Sequence, residues 1–437
     1  MCVNCVHKFD AAANDSRLRF FGNVNVGEAQ TPIPDTVQVP LTSVFDNYTH
    51  VVFATGCTLP TLHPTLPPSE YCVPALSLVH WYTQHPSGPP PPPLERITHV
   101  SLIGNGNVSL DIARMLLTPV SVLGKYDVPA PVLAVLTKSQ VKHVSIFGRR
   151  GPLEAAFTTK ELRELINLPD SSMVPLSPAI LDPPLENNAA KPTRQQSRIL
   201  QLLRQGSKNT FGTTPKTWSL DFFRSPTDLT PPAPGSSLAN LTVAHTALDP
   251  THSRAVPTGE TSTIPTSLVV TSLGFHAEHQ APFHDPSSPH MRTSPGGRVV
   301  LPSTGTALKN VYASGWAATG AKGVLAATMM DAYAVADAVL SDWLPGGDVH
   351  TTSTPVSTPE NALLRGREDT QVLLNPSPEL ESPPAEVIEG LRDGIVTEYG
   401  DWKRVDAEEV RRGALVEKER ERMDWQEAKA FLYQQTR

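Results

Sequence analysis

The sequence predicts an α/β protein built on parallel sheets, and three observations carry that prediction. Short apolar runs that stop at glycine alternate with amphipathic stretches of helical period. One such junction reads strand, Gly104-x-Gly106-x-x-Ser109, helix. The chain has 437 residues, which at about 150 residues per domain means two or three domains. Hydrophobic residues make up 39%, enough for a core. Lys and Arg number 36 against 43 Asp and Glu, a net charge of −7, so the chain lacks the overall basic character of nucleic-acid binders and no nucleic-acid partner is expected. No run of 18 apolar residues occurs, so no membrane span is expected. Four cysteines are too few for a disulfide scaffold and point to an intracellular chain. The 44 prolines, about twice the usual share, predict long loops or insertions.

Taken in order, the N-terminus has no apolar signal region and no Arg-rich amphipathic stretch. Cys2 and Cys5 form a C-x-x-C without the βαβ context that redox chemistry needs, so neither redox nor metal chemistry is assigned to them. Leu18 to Val26 and His50 to Thr55 read as strands. Pro86 to Pro93 is nearly all proline, a stiff surface loop. Ile97 to Ile103 is a buried strand, Asn107 to Leu117 a helix, and Val141 to Phe147 a further strand stopped at Gly148. Thr158 to Leu168 is a short amphipathic helix; residues 170–192 read as irregular; Ser197 to Arg204 is a basic helix. Leu268 to Leu273 is a strand capped by Gly274, and Gly323 to Leu340 a long helix. Residues 345–394 read as a disordered linker and 395–437 as a charged helical tail.

Val100 to Leu117 carries the most chemistry. The first glycine permits the tight turn, the second lets backbone approach a pyrophosphate, and the small Ser109 lets helix and strand pack closely. The anion would rest on free N–H groups near Asn107 and Val108. The same pattern also serves a plain strand–turn–helix crossover. The next strand ends in Arg149-Arg150, where an NAD site would carry an acid; two guanidiniums suit a 2′-phosphate and favour NADP(H), although a solvated basic turn looks the same in sequence. Thr158-x-x-Glu161 fits a capping box, which would account for Glu161 without any ligand.

Longer runs extend the pattern. GNGNVSLDIARMLL, FGRRGPLEAAFTTKELRELINLP and SGWAATGAKGVLAATMMDA, with FFGNVNVG, FFRSP, AVPTGE and DWKRVDAEEVRRG, resemble the adrenodoxin reductase family, mitochondrial NADPH:ferredoxin reductases built like glutathione reductase. The resemblance covers roughly residues 4–342 and 395–435. It implies a two-domain, glutathione-reductase-like flavoprotein in which FAD and NADP each sit on a doubly wound sheet. Hydride passes from NADPH to FAD, and single electrons pass on to a [2Fe–2S] ferredoxin. By position, Asn105, Gly106, Asn107 and Val108 would hold the NADP pyrophosphate, Arg149 and Arg150 its 2′-phosphate, and Glu161 would contact NADP. Val26 and Trp316 would line FAD, while Gly323, Val324 and Leu325 would contact the flavin, Gly323 also meeting the nicotinamide. Arg194, Arg198 and Arg204 lie where family members dock an acidic ferredoxin. A matrix-side mitochondrial location, peripheral to the inner membrane, is likewise implied by the family alone.

The resemblance implies residues 1–95 as part of the FAD domain, 96–265 as the NADP domain and 266–344 as the rest of the FAD domain. Two departures stand out. Nothing before Val51 matches the family's first strand and GxGxxG turn for the FAD pyrophosphate, so an N-terminally truncated FAD domain is expected. Ala317 to Lys322 also lacks the basic residue and proline of the family. A chain that binds NADP(H) without FAD is the alternative reading. A glutamate-synthase-like subunit would need iron–sulfur cysteine clusters, which four scattered cysteines do not provide.

Overall fold

The computed structural model describes residues 9–27, 33–181, 192–249, 254–278, 283–323, 325–343 and 382–434. Cys2, Cys5, Val324, residue 344 and residues 345–381 of the expected linker lie outside the described residues. The chain divides into two compact units, one comprising Met1–Leu59, Gly274–Ala407 and Ala428–Arg437, the other Pro60–Leu273 and Glu408–Glu427.

In the first unit, β1 (Val24–Val26) pairs in parallel with β2 (Val37–Val39), and helix α1 (Leu41–Asn47) leads to β3 (Val51–Phe53). A four-stranded sheet runs β15 (Thr293–Ser294), β16 (Arg298–Val300), β17 (Ala307–Ala313), β3, with β3 parallel to β17. Phe45, Phe283, Met291, Val299 and Val311 form its core. The long helix α10 (Leu325–Trp343) lies along β17: Asp342 takes Arg298 at 2.6 Å and the Tyr312 hydroxyl at 2.8 Å.

The second unit is built on a six-stranded parallel sheet in the order β5 (Cys72–Pro74), β13 (Leu268–Thr271), β6 (His99–Ile103), β7 (His143–Gly148), β9 (Lys216–Phe222), β8 (Ser171–Met173). Its strands carry apolar residues on both faces, as a sheet covered on both sides requires. Val100, Leu102, Val144, Ile146, Trp218 and Leu220 meet the helices α3 (Asn107–Leu117), α6 (Thr159–Ile166) and α8 (Arg194–Gln205). Ile103, Phe147 and Val269 meet Leu241 and Val243 of an antiparallel sheet formed by β10 (Arg224–Thr230), β11 (Ala239–Leu248) and β12 (Ala255–Thr266).

Several boundaries differ from the sequence reading. Residues 60–95, expected in the FAD domain, supply edge strand β5 and helix α2 (Ala75–Tyr82) to the second unit, because Cys72 and Val73 pair with Val269 and Val270. Residues 170–192 are not wholly irregular: Ser171–Met173 closes the sheet, paired with Lys216–Trp218. The whole antiparallel sheet was invisible to a pattern search for parallel units, since its strands are polar on their outer side. Residues 385–392 of the expected linker form helix α11 (Ala385–Arg392), whose Val387 packs with Val39 and Val396. The charged tail, expected as one or two helices, forms α12 (Tyr399–Leu415) and α13 (Trp425–Gln434). Glu408–Glu427 groups with the second unit, tied there by Arg422 to Asp127 at 3.0 Å.

Candidate functional site

Strand β6 sits in the middle of its sheet and delivers the glycine turn at its C-terminal end. Gly104 has φ +117°, and a Cβ there would lie 2.1 Å from the Ser272 carbonyl oxygen, so only glycine fits. The Gly104 N–H is given to Phe147 O at 2.9 Å, and Ser272 N–H to Ile103 O at 2.7 Å, which lock the turn between β7 and β13. Gly106 differs: a Cβ there would meet nothing within 4 Å, and its φ of −94° is open to other residues. Its side-chain-free surface faces open space at the start of α3. No side chain caps that helix, and the N–H groups of Asn107, Val108 and Ser109 have no partner among the described residues. This leaves an anion-receptive helix terminus. Ser109 is fully buried, and its hydroxyl donates back to the Gly104 carbonyl, so the third small residue also braces the turn.

Arg149 and Arg150 follow β7 directly. Their backbone is held rigidly: Thr246 Oγ1 donates to Arg149 O at 2.8 Å and Phe223 N–H to Arg150 O at 3.3 Å. Neither guanidinium has a partner among the described residues, while Gly148 brings β7 against Asn105, whose Nδ2 would lie 2.6 Å from an added Cβ. Glycine turn, helix start and arginine pair thus share one end of the sheet.

Glu161 departs from the expected capping box. Thr158 is the N-cap of α6, but its hydroxyl donates to the Glu161 carboxylate instead of receiving a backbone N–H. The Thr158 N–H goes to Asn107 Oδ1 at 2.8 Å, which ties the start of α3 to the start of α6. Asn107 is therefore a strut as well as a helix-terminal residue, a pairing 51 positions apart that no local motif signals. Nearby, burial pushes the Asp111 carboxyl up, with Arg114 at 2.6 Å opposing it.

In the first unit, Gly315 has φ +61° and starts the short helix α9 (Trp316–Thr319). Its N–H donates to Asp331 at 2.6 Å, and the Ser314 hydroxyl does so at 3.0 Å. Sequence reasoning missed Asp331; the signal was a lone acid in the apolar first half of α10. The Trp316 indole is 42% exposed, and Val26 is exposed too, so Trp316 is not a core aromatic. Gly323 has φ +85° just before α10, whose first turn holds no acidic side chain. An electron-rich ring edge is compatible with that terminus. Leu325 is exposed at its first position, and Val324 lies outside the described residues. Arg194, Arg198 and Arg204 are all exposed on α8; at 100° per residue Arg204 lies about 80° from Arg194 and about 120° from Arg198, and it donates to Leu181 O at 3.1 Å. All three fall on the side of the helix opposite the buried Ile199, Leu202 and Leu203, with Arg204 at its margin and bonded to the Leu181 carbonyl.

Comparison with known proteins supplies the decisive observation. The NADPH:adrenodoxin oxidoreductase of Bos taurus, a mitochondrial protein, is 31% identical over 96% of this chain and 79% of its own length. The chain belongs to the NADPH:adrenodoxin oxidoreductase family. The human family member is 32% identical over the same shares of the two chains. Among solved structures, the family fold is represented by FprA of Mycobacterium tuberculosis in complex with NADPH, with TM-score 0.75 and 26% identity over 98% of this chain and 86% of that one. No family model matches the chain.

Proposed function

We infer that this chain is an NADPH:ferredoxin oxidoreductase of the adrenodoxin reductase family, with NADP and FAD as its cofactors. The observation that carries the reading is the Gly104–Gly106 turn at the free start of α3, beside the arginine pair that ends β7, in a chain that shares its family with NADPH oxidoreductases. In this reading Asn105, Gly106, Asn107 and Val108 receive the NADP pyrophosphate on backbone N–H groups. Arg149 and Arg150 bind the 2′-phosphate and exclude NAD, which presents only a hydroxyl there. Glu161 works through Thr158, steadying the strut from Asn107.

The residues present fit the ring end of a flavin. Trp316 offers an exposed flat face, and Gly323 precedes a helix that opens at Leu325 with no acidic side chain in its first turn. Val26 would add an apolar wall. Bound FAD supplies the conversion of a two-electron hydride into single electrons. The chain's own part is to orient the ring by the Gly315 turn, which Asp331 holds. The acceptor is a [2Fe–2S] ferredoxin, and we propose that Arg194 and Arg198 meet its acidic surface, with Arg204 at most peripheral. Association through them weakens as salt rises. A mitochondrial, membrane-peripheral location is our reading from the animal relatives; the FprA relatives are bacterial.

The test is the visible absorption spectrum of the purified chain before and after FAD is added. Flavin bands that survive desalting, bleach with NADPH and recover on adding oxidised ferredoxin support the reading. A colourless protein that still titrates with NADPH would replace it with NADP(H) binding alone. The uncovered apolar face of α10, where Met330 is 64% exposed, is the specific observation that favours this second reading.

A further inference from the structure

The run Gly88 to Pro93 has no part in either nucleotide site, yet its conformation is dictated by chemistry. Pro89, Pro90, Pro91 and Pro92 are each a proline that precedes a proline. The ring fixes φ near −65°, and the following ring forces ψ into the extended range, which leaves polyproline II as the one accessible conformation with trans bonds. No cis peptide bond occurs among the described residues. The exposure pattern has the matching period of three: Pro89 and Pro92 are half-buried, while Pro90, Pro91 and Pro93 are exposed. Pro89 and Pro91 border a cavity of about 400 Å³ shared with Trp81 and Trp425; Pro90 and Pro93, three apart, form the edge turned away from it.

Both ends of the rod are anchored. Before it, the His80 and His85 rings stack at 3.8 Å and share the Ser87 hydroxyl, at 3.0 and 2.9 Å, and Gly88 N–H donates to His85 O. After it, Leu94 is buried, its N–H donates to Pro92 O at 2.8 Å, and its carbonyl receives Gln140 N–H at 2.9 Å. The carbonyls of Pro89, Pro90 and Pro91 accept no hydrogen bond among the described residues. A rigid left-handed rod with an exposed i, i+3 proline edge and free carbonyl acceptors is the ligand half of polyproline recognition, in which binding costs little ordering entropy.

We propose that Pro89–Pro93 is a docking surface for a protein domain whose groove is lined with aromatic residues and reads polyproline II. The groove would seat Pro90 and Pro93 between its rings and donate hydrogen bonds to the free carbonyls. The test uses isotopically labelled WW, SH3 and EVH1 domains, each titrated with the whole chain. Saturable shifts at the groove aromatics of at least one domain are expected. A Pro90→Ala, Pro93→Ala double variant weakens that binding by at least about tenfold, with an unchanged melting temperature. A synthetic peptide of residues 87–96 competes with the chain for the same groove, an arm that does not depend on how the variant folds. No binding by any of the three domains, equal binding by a folded double variant, or failure of the peptide to compete overturns the proposal.

Discussion

At the scale of single residues, the two glycines of the β6 turn have different duties. Gly104 is required by the fold, because its φ of +117° and the Ser272 carbonyl 2.1 Å from an added Cβ admit no side chain. Gly106 is free of both constraints, and its proposed duty is toward the nucleotide. Gly104→Ala is therefore expected to destabilise the second unit by about 2–4 kcal/mol, read as a lower melting temperature. Gly106→Ala is expected to leave melting unchanged while raising the NADPH dissociation constant about tenfold, ~1.4 kcal/mol; equal melting losses in both variants would refute the division. The arginine pair makes a second prediction. Arg149→Gln and Arg150→Gln should each weaken NADPH by about tenfold or more, since a charge-assisted hydrogen bond contributes roughly 1.5–3 kcal/mol. NADH affinity should hardly move, so the cofactor preference narrows. Titration of both nucleotides against each variant checks this.

At the scale of elements, the parallel sheet of the second unit carries a partly buried polar row. His143 Nδ1 lies 2.7 Å from Thr217 Oγ1, its Nε2 3.0 Å from Ser145 Oγ, and Ser219 donates to Asp221 at 2.6 Å. Burial, helped by the neighbouring His99, pushes the His143 imidazole down to about 4. The unfolded chain protonates near the ordinary 6.5, so between about 6.5 and 4 it binds more protons than the folded chain. Stability contributed by this histidine is complete above that window and is lost as pH falls through it. The melting temperature should drop from pH 7 to pH 4.5, and His143→Gln should flatten part of that slope; an unaltered slope would count against it. The His99–Ile103 strand and the Asn107–Leu117 helix were legible in the sequence, because an apolar run, a glycine turn and a helical period coincide there. Strand β9 was not: Lys216–Phe222 alternates too little to stand out and owes its place to pairing with β7, 74 residues away at His143 and Thr217.

At the scale of the whole molecule, the first unit leaves an apolar surface uncovered among the described residues. Along α10, Leu325, Met329, Met330, Tyr333 and Leu340 are exposed, and Val52 is 46% exposed on β3 at the end of its sheet. A helix apolar on nearly every side is a core helix by composition, and an open strand edge beside it favours association. The chain is expected to enhance the fluorescence of an apolar dye such as ANS in its folded state. Met330→Lys with Tyr333→Lys should lower that signal without loss of the Asp342 contacts beneath; a signal indifferent to these changes would mean that the dye binds elsewhere. The net charge of −7 opposes aggregation only over distances that salt screens quickly.

The sequence by itself determined the glycine turn, the arginine pair beside it, the family and the α/β class, because each rests on residues close along the chain whose chemistry is local. Only the tertiary structure decided that Asn107 braces Thr158, that Asp331 holds the Gly315 turn, and that residues 60–95 belong with the second unit. Those depend on hydrogen bonds and strand pairings between distant segments. Such partners are selected by burial and geometry in the folded chain, and no spacing in the sequence records them.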